Sequence, residues 1–533
     1  MLYRMRAVLW NLVGVGFLWT LPFMTATMLT SLYAEGPAMT TVRYNNGRTG
    51  WNPAETVLTV ETVNPKTFGQ QWATKLDGQI YGAPLYVSGV VIGGRAYDVV
   101  YVATENNYIY ALNAESGEPL WPRPYNLGTP GLQSLVLDGC GSIYPNIGIT
   151  STPVIDLATR TLYAVGLTRQ DRLQVFKMAA VDIATGQSRP GWPVIVDPPS
   201  DVPLDTRVTS QRGALLLANG RVYVPFGAYS GDCGVYHGWV VAVDTASPTA
   251  RQRYYHTPRV GAQYGGGIWA SSGIAADADG FLYAATGNSF NALDVDYSNA
   301  VLRLNPDLAF SGRPSDFFMP SNWSQLNTND LDLGASAPML LPRQPRSSTR
   351  DMIFIAGKAG VGHLLNRENL GGVARGDGVI GEGVYSRRIL DEVASTAAYY
   401  QDLSFGPMIF VAGNGDGSGS DCVGDSGVMA LSLYTDGNGS SFYLPLWCAP
   451  GMESALSPVV TSAPGRTGIL WAVDGVGGVL YAFNAFSGEE LYNSSMVPGD
   501  DLGSILSFVH FTVIDGRVFI GNDENDLVAY GRR

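Results

Sequence analysis

The chain of 533 residues is rich in glycine, with 65, and sparing in charge, with 15% Asp, Glu, Lys and Arg against a usual ~25%. Its 46% hydrophobic content fills a large core, which excludes intrinsic disorder and a long coiled coil. A net charge of −13 is repelled by a phosphate backbone, and the four histidines His237, His256, His363 and His510 lack zinc-ligand spacing such as HExxH, so nucleic acid and zinc chemistry are both set aside.

From the N-terminus, Arg4 and Arg6 precede an uncharged, mostly apolar run from Ala7 to Leu32, the pattern of a secretory signal or a membrane anchor. Residues 1–34 are assigned to that segment, which sends the remainder outside the cytoplasm: secreted, periplasmic or held at the outer face of the membrane. No later stretch approaches about 18 successive apolar residues, so membrane contact is expected only through this anchor. Residues 35–69 are an N-terminal extension, and residues 70–533 carry repeats. Cys140, Cys233, Cys422 and Cys448 suit an exported protein with up to two disulfides, for which three connectivities exist. The chain has no CxxC and no CxxCH, which removes simple zinc ribbons, thioredoxin-like redox motifs and c-type haem.

The repeat is clearest at Val100 to Trp121: a β-rich run, a polar turn, a second β-rich run, then Asn113, Gly117 and Trp121 at i, i+4 and i+8. It returns at Leu480 to Tyr492 with Asn484, Gly488 and Tyr492, and weaker copies end at Asp182, Asp244, Asn305, Asn366, Ser432 and Gly531. Eight copies at a mean spacing of about 60 residues each supply four strands, so the expected fold is all-β, an eight-bladed β-propeller of four-stranded antiparallel sheets. A sandwich array or solenoid is the plainer alternative. Small-residue openings at Gly82-Ala83-Pro84, Ser151-Thr152-Pro153, Arg212-Gly213-Ala214, Ser336-Ala337-Pro338 and Leu456-Ser457-Pro458 mark innermost strands crowded around an axis. The eighth copy runs out of chain after Leu527 to Tyr530, one strand short. The N-terminal strand Gln70 to Leu76 supplies the missing one, with Trp72 in the place of Trp121, and closes the ring without exposed edges.

The segment Ala111 to Trp121 resembles the tryptophan-docking motif of eight-bladed quinoprotein alcohol dehydrogenases. The region from about residue 40 onward is most similar to exported pyrroloquinoline quinone (PQQ)-like repeat proteins, which share openings like Arg48-Thr49-Gly50-Trp51-Asn52-Pro53. For the enzymes of that superfamily the resemblance implies PQQ over a tryptophan floor on the axis, with calcium beside it. Carried over residue by residue, Trp269 is similar to the floor and Asn288 to the calcium-binding asparagine. Asp296 is similar to the catalytic base, Lys358 to the quinone-carbonyl contact, and Asp330 and Asp332 to an acidic loop at the same mouth. Two positions depart from the pattern. A single Cys140 stands where the enzymes have adjacent cysteines, and Cys233 where they have a calcium-ligating glutamate, a poor exchange for a cation that prefers oxygen. Because those two places converge on one cavity in the enzymes, the resemblance implies a disulfide from Cys140 to Cys233, which leaves Cys422 with Cys448.

Each of these residues also has a structural reading. Trp269 can be blade-to-blade packing and Asn288 an ordinary turn residue. Asp296 can be a buried ion-pair partner of Lys358, and Lys358 can merely neutralise Asp330 or Asp332. His237 reads as a proton shuttle or as a hydrogen-bonded loop histidine. Asp416, Asp421 and Asp425 in a Gly-rich stretch offer clustered oxygens but lack the DxDxDG pattern, and Asn322, Asn438 and Asn493 head N-x-S sequons. The expected function is binding of a small molecule or a protein at the axial face without quinone catalysis, with no cofactor assigned. The alternative is a PQQ- and calcium-dependent dehydrogenase of alcohols or aldehydes.

Overall fold

The computed structural model describes residues 36–533 apart from 142, 172, 259–263, 291–293 and 415–426. The apolar N-terminal run, the Asp416, Asp421 and Asp425 stretch and Cys422 therefore lie outside the described residues.

Eight antiparallel sheets follow one another along the chain, at residues 85–126, 154–195, 209–257, 275–319, 339–388, 398–450, 459–493 and 512–532. They are blades 1 to 8. In blades 1, 2, 3, 5 and 7 the inner strand begins just after the small-residue opening read from the sequence, as Leu85–Ile92 does after Gly82-Ala83-Pro84 and Val154–Asp156 after Ser151-Thr152-Pro153. Small hydroxylated residues suit these openings because they tie neighbouring blades together. Thr152 Oγ1 accepts from Ala83 N at 2.8 Å, Thr396 Oγ1 from Ala337 N at 3.1 Å and Ser457 Oγ from Thr396 N at 2.9 Å.

Apolar residues on both faces of every sheet interlock with the next sheet, which is why strands such as Thr161–Gln170 read as continuous apolar runs rather than alternating ones. Asn113, Asp182, Asp244 and Asn484 end the third strands of their blades, and each side chain caps the following turn by accepting from the backbone N–H two residues on. The glycine four residues after the first, second and last of these has positive φ, and its missing Cβ is what admits a tryptophan from the preceding blade. A Cβ on Gly117, Gly186 or Gly488 would lie 2.7–2.8 Å from the rings of Trp72, Trp121 and Trp447 respectively. Blade 8 is completed by Phe68–Lys75, antiparallel to Asp526–Arg532, so N-terminal and C-terminal strands share one sheet.

The segment from Ala38 to Asn52 has a role that its composition did not reveal: it crosses one end of the channel and bonds to the inner region of every blade. Ala38 and Met39 pair with Val87 and Tyr86 of blade 1, and Thr40 O accepts from Ile155 N of blade 2. Arg48 donates to Leu215 O of blade 3 at 3.0 Å and to Ile274 O at the entry to blade 4 at 2.8 Å. The carbonyls of Gly47, Thr49 and Gly50 accept from Leu340, Tyr399 and Val460 of blades 5, 6 and 7, each at 2.8 Å. Tyr44 Oη closes the circuit on Val513 O of blade 8 at 2.9 Å. Arg43 and Arg48 are almost entirely buried and face carbonyls rather than carboxylates, so burial pulls both guanidinium groups down to about 9.

Candidate functional site

The other end of the channel is ringed by the residues that precede the inner strands. Tyr81, Arg212, Trp269 and Phe508 come from the entries to blades 1, 3, 4 and 8 and meet at the axis. The Arg212 guanidinium lies 4.2 Å from the centre of the Phe508 ring and 5.0 Å from that of Trp269, and the two rings meet edge-on at 6.1 Å. Lys358 approaches Trp269 as well, at 5.6 Å. Gly227 allows this arrangement, since a Cβ there would fall 2.6 Å from the Trp269 Cβ.

Four of the residues singled out from the sequence converge beside Trp269, itself a fifth. Lys358 Nζ bridges Asp332 at 2.6 Å and Asp330 at 3.1 Å, and the Asp332 carboxylate also accepts from the backbone N–H of Asn288. Gly287 makes room: a Cβ there would stand 2.6 Å from Asp332 Oδ1 and 2.9 Å from Trp269 Nε1. Burial lifts the Asp332 carboxyl to about 6 although Lys358 pulls the other way. Asp232, held by the Tyr236 hydroxyl at 2.8 Å, is raised by burial and by Asp330 at the same mouth. Lys358 thus offsets part of the negative charge of the acidic loop.

Asp296 does not pair with Lys358. It is fully buried behind this wall, where Ser298 donates to it through N at 3.0 Å and Oγ at 2.7 Å and Ser289 through its hydroxyl. Asn327 knits the same serines together and reaches Asn299, whose side chain in turn accepts from Leu333 N at 2.7 Å. His237 lies at the entry of a blade 3 strand against the rings of Trp239 and His256, and burial lowers its pKa.

Cys140 and Cys233 form a disulfide with Cα atoms 5.8 Å apart, joining residues 93 positions apart. It borders the same mouth: Gly141 N donates to Ser230 O, and Gly231 packs on the backbone of Gly139. A disulfide suits an extracytoplasmic protein. The pairing expected of Cys422 with Cys448 lies outside the described residues. Of the sequon asparagines, Asn322 stands just before the helix Trp323–Thr328 without a side-chain capping bond, Asn493 is buried, and Asn438 is exposed in a hairpin turn.

The residues do not fit the calcium that the resemblance implies. The Asp296 oxygens are taken by serine donors, those of Asp332 by Asn288 N–H and Lys358, and no cluster of three His, Cys, Asp or Glu side chains among the described residues could hold a metal. What the mouth does offer is a cavity of about 240 Å³ whose lining includes Tyr81, Ser210, Arg212, Tyr229, Ser230 and Phe508. Arg212 was legible only as part of a strand opening. Its signal was that, among the five openings, it alone carries a charge. Tyr81, Tyr229 and Phe508 carried none, since aromatic residues at blade entries are indistinguishable from packing residues.

The fold and repeats define an eight-bladed β-propeller of PQQ-like repeats, with the architecture of the quinoprotein alcohol dehydrogenases. More particularly, residues 54–286 match a family model described as outer membrane protein assembly factor BamB. No curated protein matches the chain in sequence. Among solved structures, quinohemoprotein alcohol dehydrogenase ADHIIG from Pseudomonas putida superimposes with a TM-score of 0.61 at 14% identity, over 93% of this chain and 80% of its own. A europium-containing methanol dehydrogenase gives 0.58 at 14% identity, over 93% and 98%. The quinohemoprotein alcohol dehydrogenase from Comamonas testosteroni gives 0.56 at 14%, over 93% and 81%. At such identities the likeness is one of fold.

Proposed function

We propose that this protein works outside the cytoplasm, secreted, periplasmic or anchored, as a receptor for a small carboxylate-bearing ligand in the open mouth of the channel, without quinone catalysis. Arg212 carries this reading. Its Nε donates to Trp269 O at 3.3 Å, yet no carboxylate among the described residues lies within 4.0 Å of it. Burial pulls it down to about 10 although Tyr81, Asp232 and Asp332, none of them paired with it, pull the other way. A ligand carboxylate would receive the planar guanidinium fork, with the Tyr81, Ser210, Tyr229 and Ser230 hydroxyls around it and the rings of Phe508 and Trp269 excluding water. The departures at Cys140 and Cys233, together with the engaged carboxylates of Asp296 and Asp332, favour binding over dehydrogenation.

Titrating the protein with benzoate and following tryptophan fluorescence tests the reading. Saturable binding that weakens at least ten-fold in Arg212→Gln and also in Tyr81→Phe is expected. Binding indifferent to both substitutions would sink it. A dye-linked alcohol dehydrogenase activity that appears on adding PQQ and calcium, and vanishes in Asp296→Ala, would replace it with the quinoprotein alternative.

A further inference from the structure

The open mouth has a second lobe. A cavity of about 260 Å³ lies on the far side of Phe508, and Ser507 and Phe508 belong to the walls of both. Its lining is otherwise serine, asparagine and small apolar residues, among them Ser271, Ser395, Ser457 and Asn414, with Glu392 as the one charged side chain. Glu392 comes from the loop entering blade 6, and among the described residues its carboxylate accepts a single 3.4 Å hydrogen bond, from Asn414 Nδ2. No Lys, Arg or His among the described residues lies within 4.0 Å of it. The two lobes therefore present one charge each, of opposite sign. The contrast with Lys358, Asp330 and Asp332 a short way off is informative, because there the one lysine is already bridged to two carboxylates.

We infer that the open mouth takes a zwitterionic ligand, a short peptide with free termini, whose carboxylate meets Arg212 in one lobe and whose ammonium group meets Glu392 in the other while its middle crosses the Phe508 ring. This deepens the proposal of a carboxylate-binding mouth and rests on it. Each lobe alone falls below the usual ~300–1,000 Å³ of a small-molecule site, whereas the two joined fall within it, so an occupant of both is longer than a single amino acid. Serine hydroxyls and Asn414 can accept from and donate to peptide groups, and the aromatic floor excludes water from the charge pair at the Arg212 end. Opposite poles also set direction, since a reversed peptide would place like charges together, a costly arrangement in a part-buried site.

Calorimetric titration of the full chain with trialanine, N-acetyl-trialanine and trialanine amide decides the matter, with benzoate alongside. Free trialanine should bind, and blocking either terminus should weaken binding at least ten-fold. Glu392→Gln should remove the penalty for N-acetylation and leave the penalty for amidation. If the N-acetylated peptide binds as well as the free one while the amide does not, the ammonium pole is wrong and the carboxylate reading stands. If benzoate binds and no peptide does, the inference likewise falls alone. If neither peptides nor benzoate bind, both fall together.

Discussion

The two ends of the channel solve the problem of a crowded axis in opposite ways. At one end, Arg43 and Arg48 are buried cations whose donors are spent on backbone carbonyls and the Thr41 hydroxyl, so that a single segment joins all eight blades. At the other, Arg212 is an enclosed cation with one backbone contact and two aromatic neighbours, facing a cavity. The same residue type is thus a rivet where the chain itself supplies acceptors and is left facing a cavity where it supplies few. What distinguishes structure from site here is hydrogen-bond satisfaction rather than burial.

The largest effect should come from breaking the riveted end. Arg48→Ala strips donors from Ile274 O, Leu215 O and Val42 O and from Thr41 Oγ1, all buried, and is expected to cost about 3–5 kcal/mol in urea unfolding. A loss under about 1 kcal/mol would show that the segment merely covers the channel.

At the open end, Lys358→Met should cost about 2 kcal/mol near pH 8, because Asp332 would stay buried with its charge unpaired. Asp332 is already raised to about 6, and losing Lys358 raises it further. A carboxyl raised on folding binds more protons folded than unfolded, so its cost grows as pH rises through the folded value and fades below it. The variant should accordingly approach the parent protein near pH 4, and a pH-independent loss would contradict the ion-pair account.

The smallest effect should be a gain. Glu105 sits buried in the turn between the second and third strands of blade 1 with one oxygen accepting from Gly148 N, and burial lifts it to about 7 although Gly148 and Thr150 pull the other way. Its charge therefore costs stability progressively from about pH 4.5 to above 7, in the same sense as Asp332. Glu105→Gln should stabilise by about 1–2 kcal/mol at pH 8 and be nearly neutral at pH 5, read by thermal melts at the two pH values. Equal melts at pH 8 would mean that Glu105 is solvated.

The two ends also differ in how far they could be read before any coordinates. Trp72, Trp121 and the third-strand residues Asn113, Asp182, Asp244 and Asn484 announced the blades and their closure, because a repeat places the same side chain in the same local geometry each time and local geometry is written in local sequence. The grouping of Trp269, Asn288, Asp330, Asp332 and Lys358 followed from resemblance plus position at inner-strand ends or adjoining loops of the fourth and fifth repeats. Asp296 did not join them, since whether a carboxylate faces the channel or two serines behind it depends on a side-chain direction that no spacing encodes. Arg48 and Arg212 are the limiting case. Both are arginines beside glycine or threonine in polar stretches, and nothing local separates them. Arg48 meets carbonyls brought in by residues up to 226 positions away, Arg212 meets rings from blades 4 and 8, and only closure of the ring decides which acceptors, if any, each guanidinium finds.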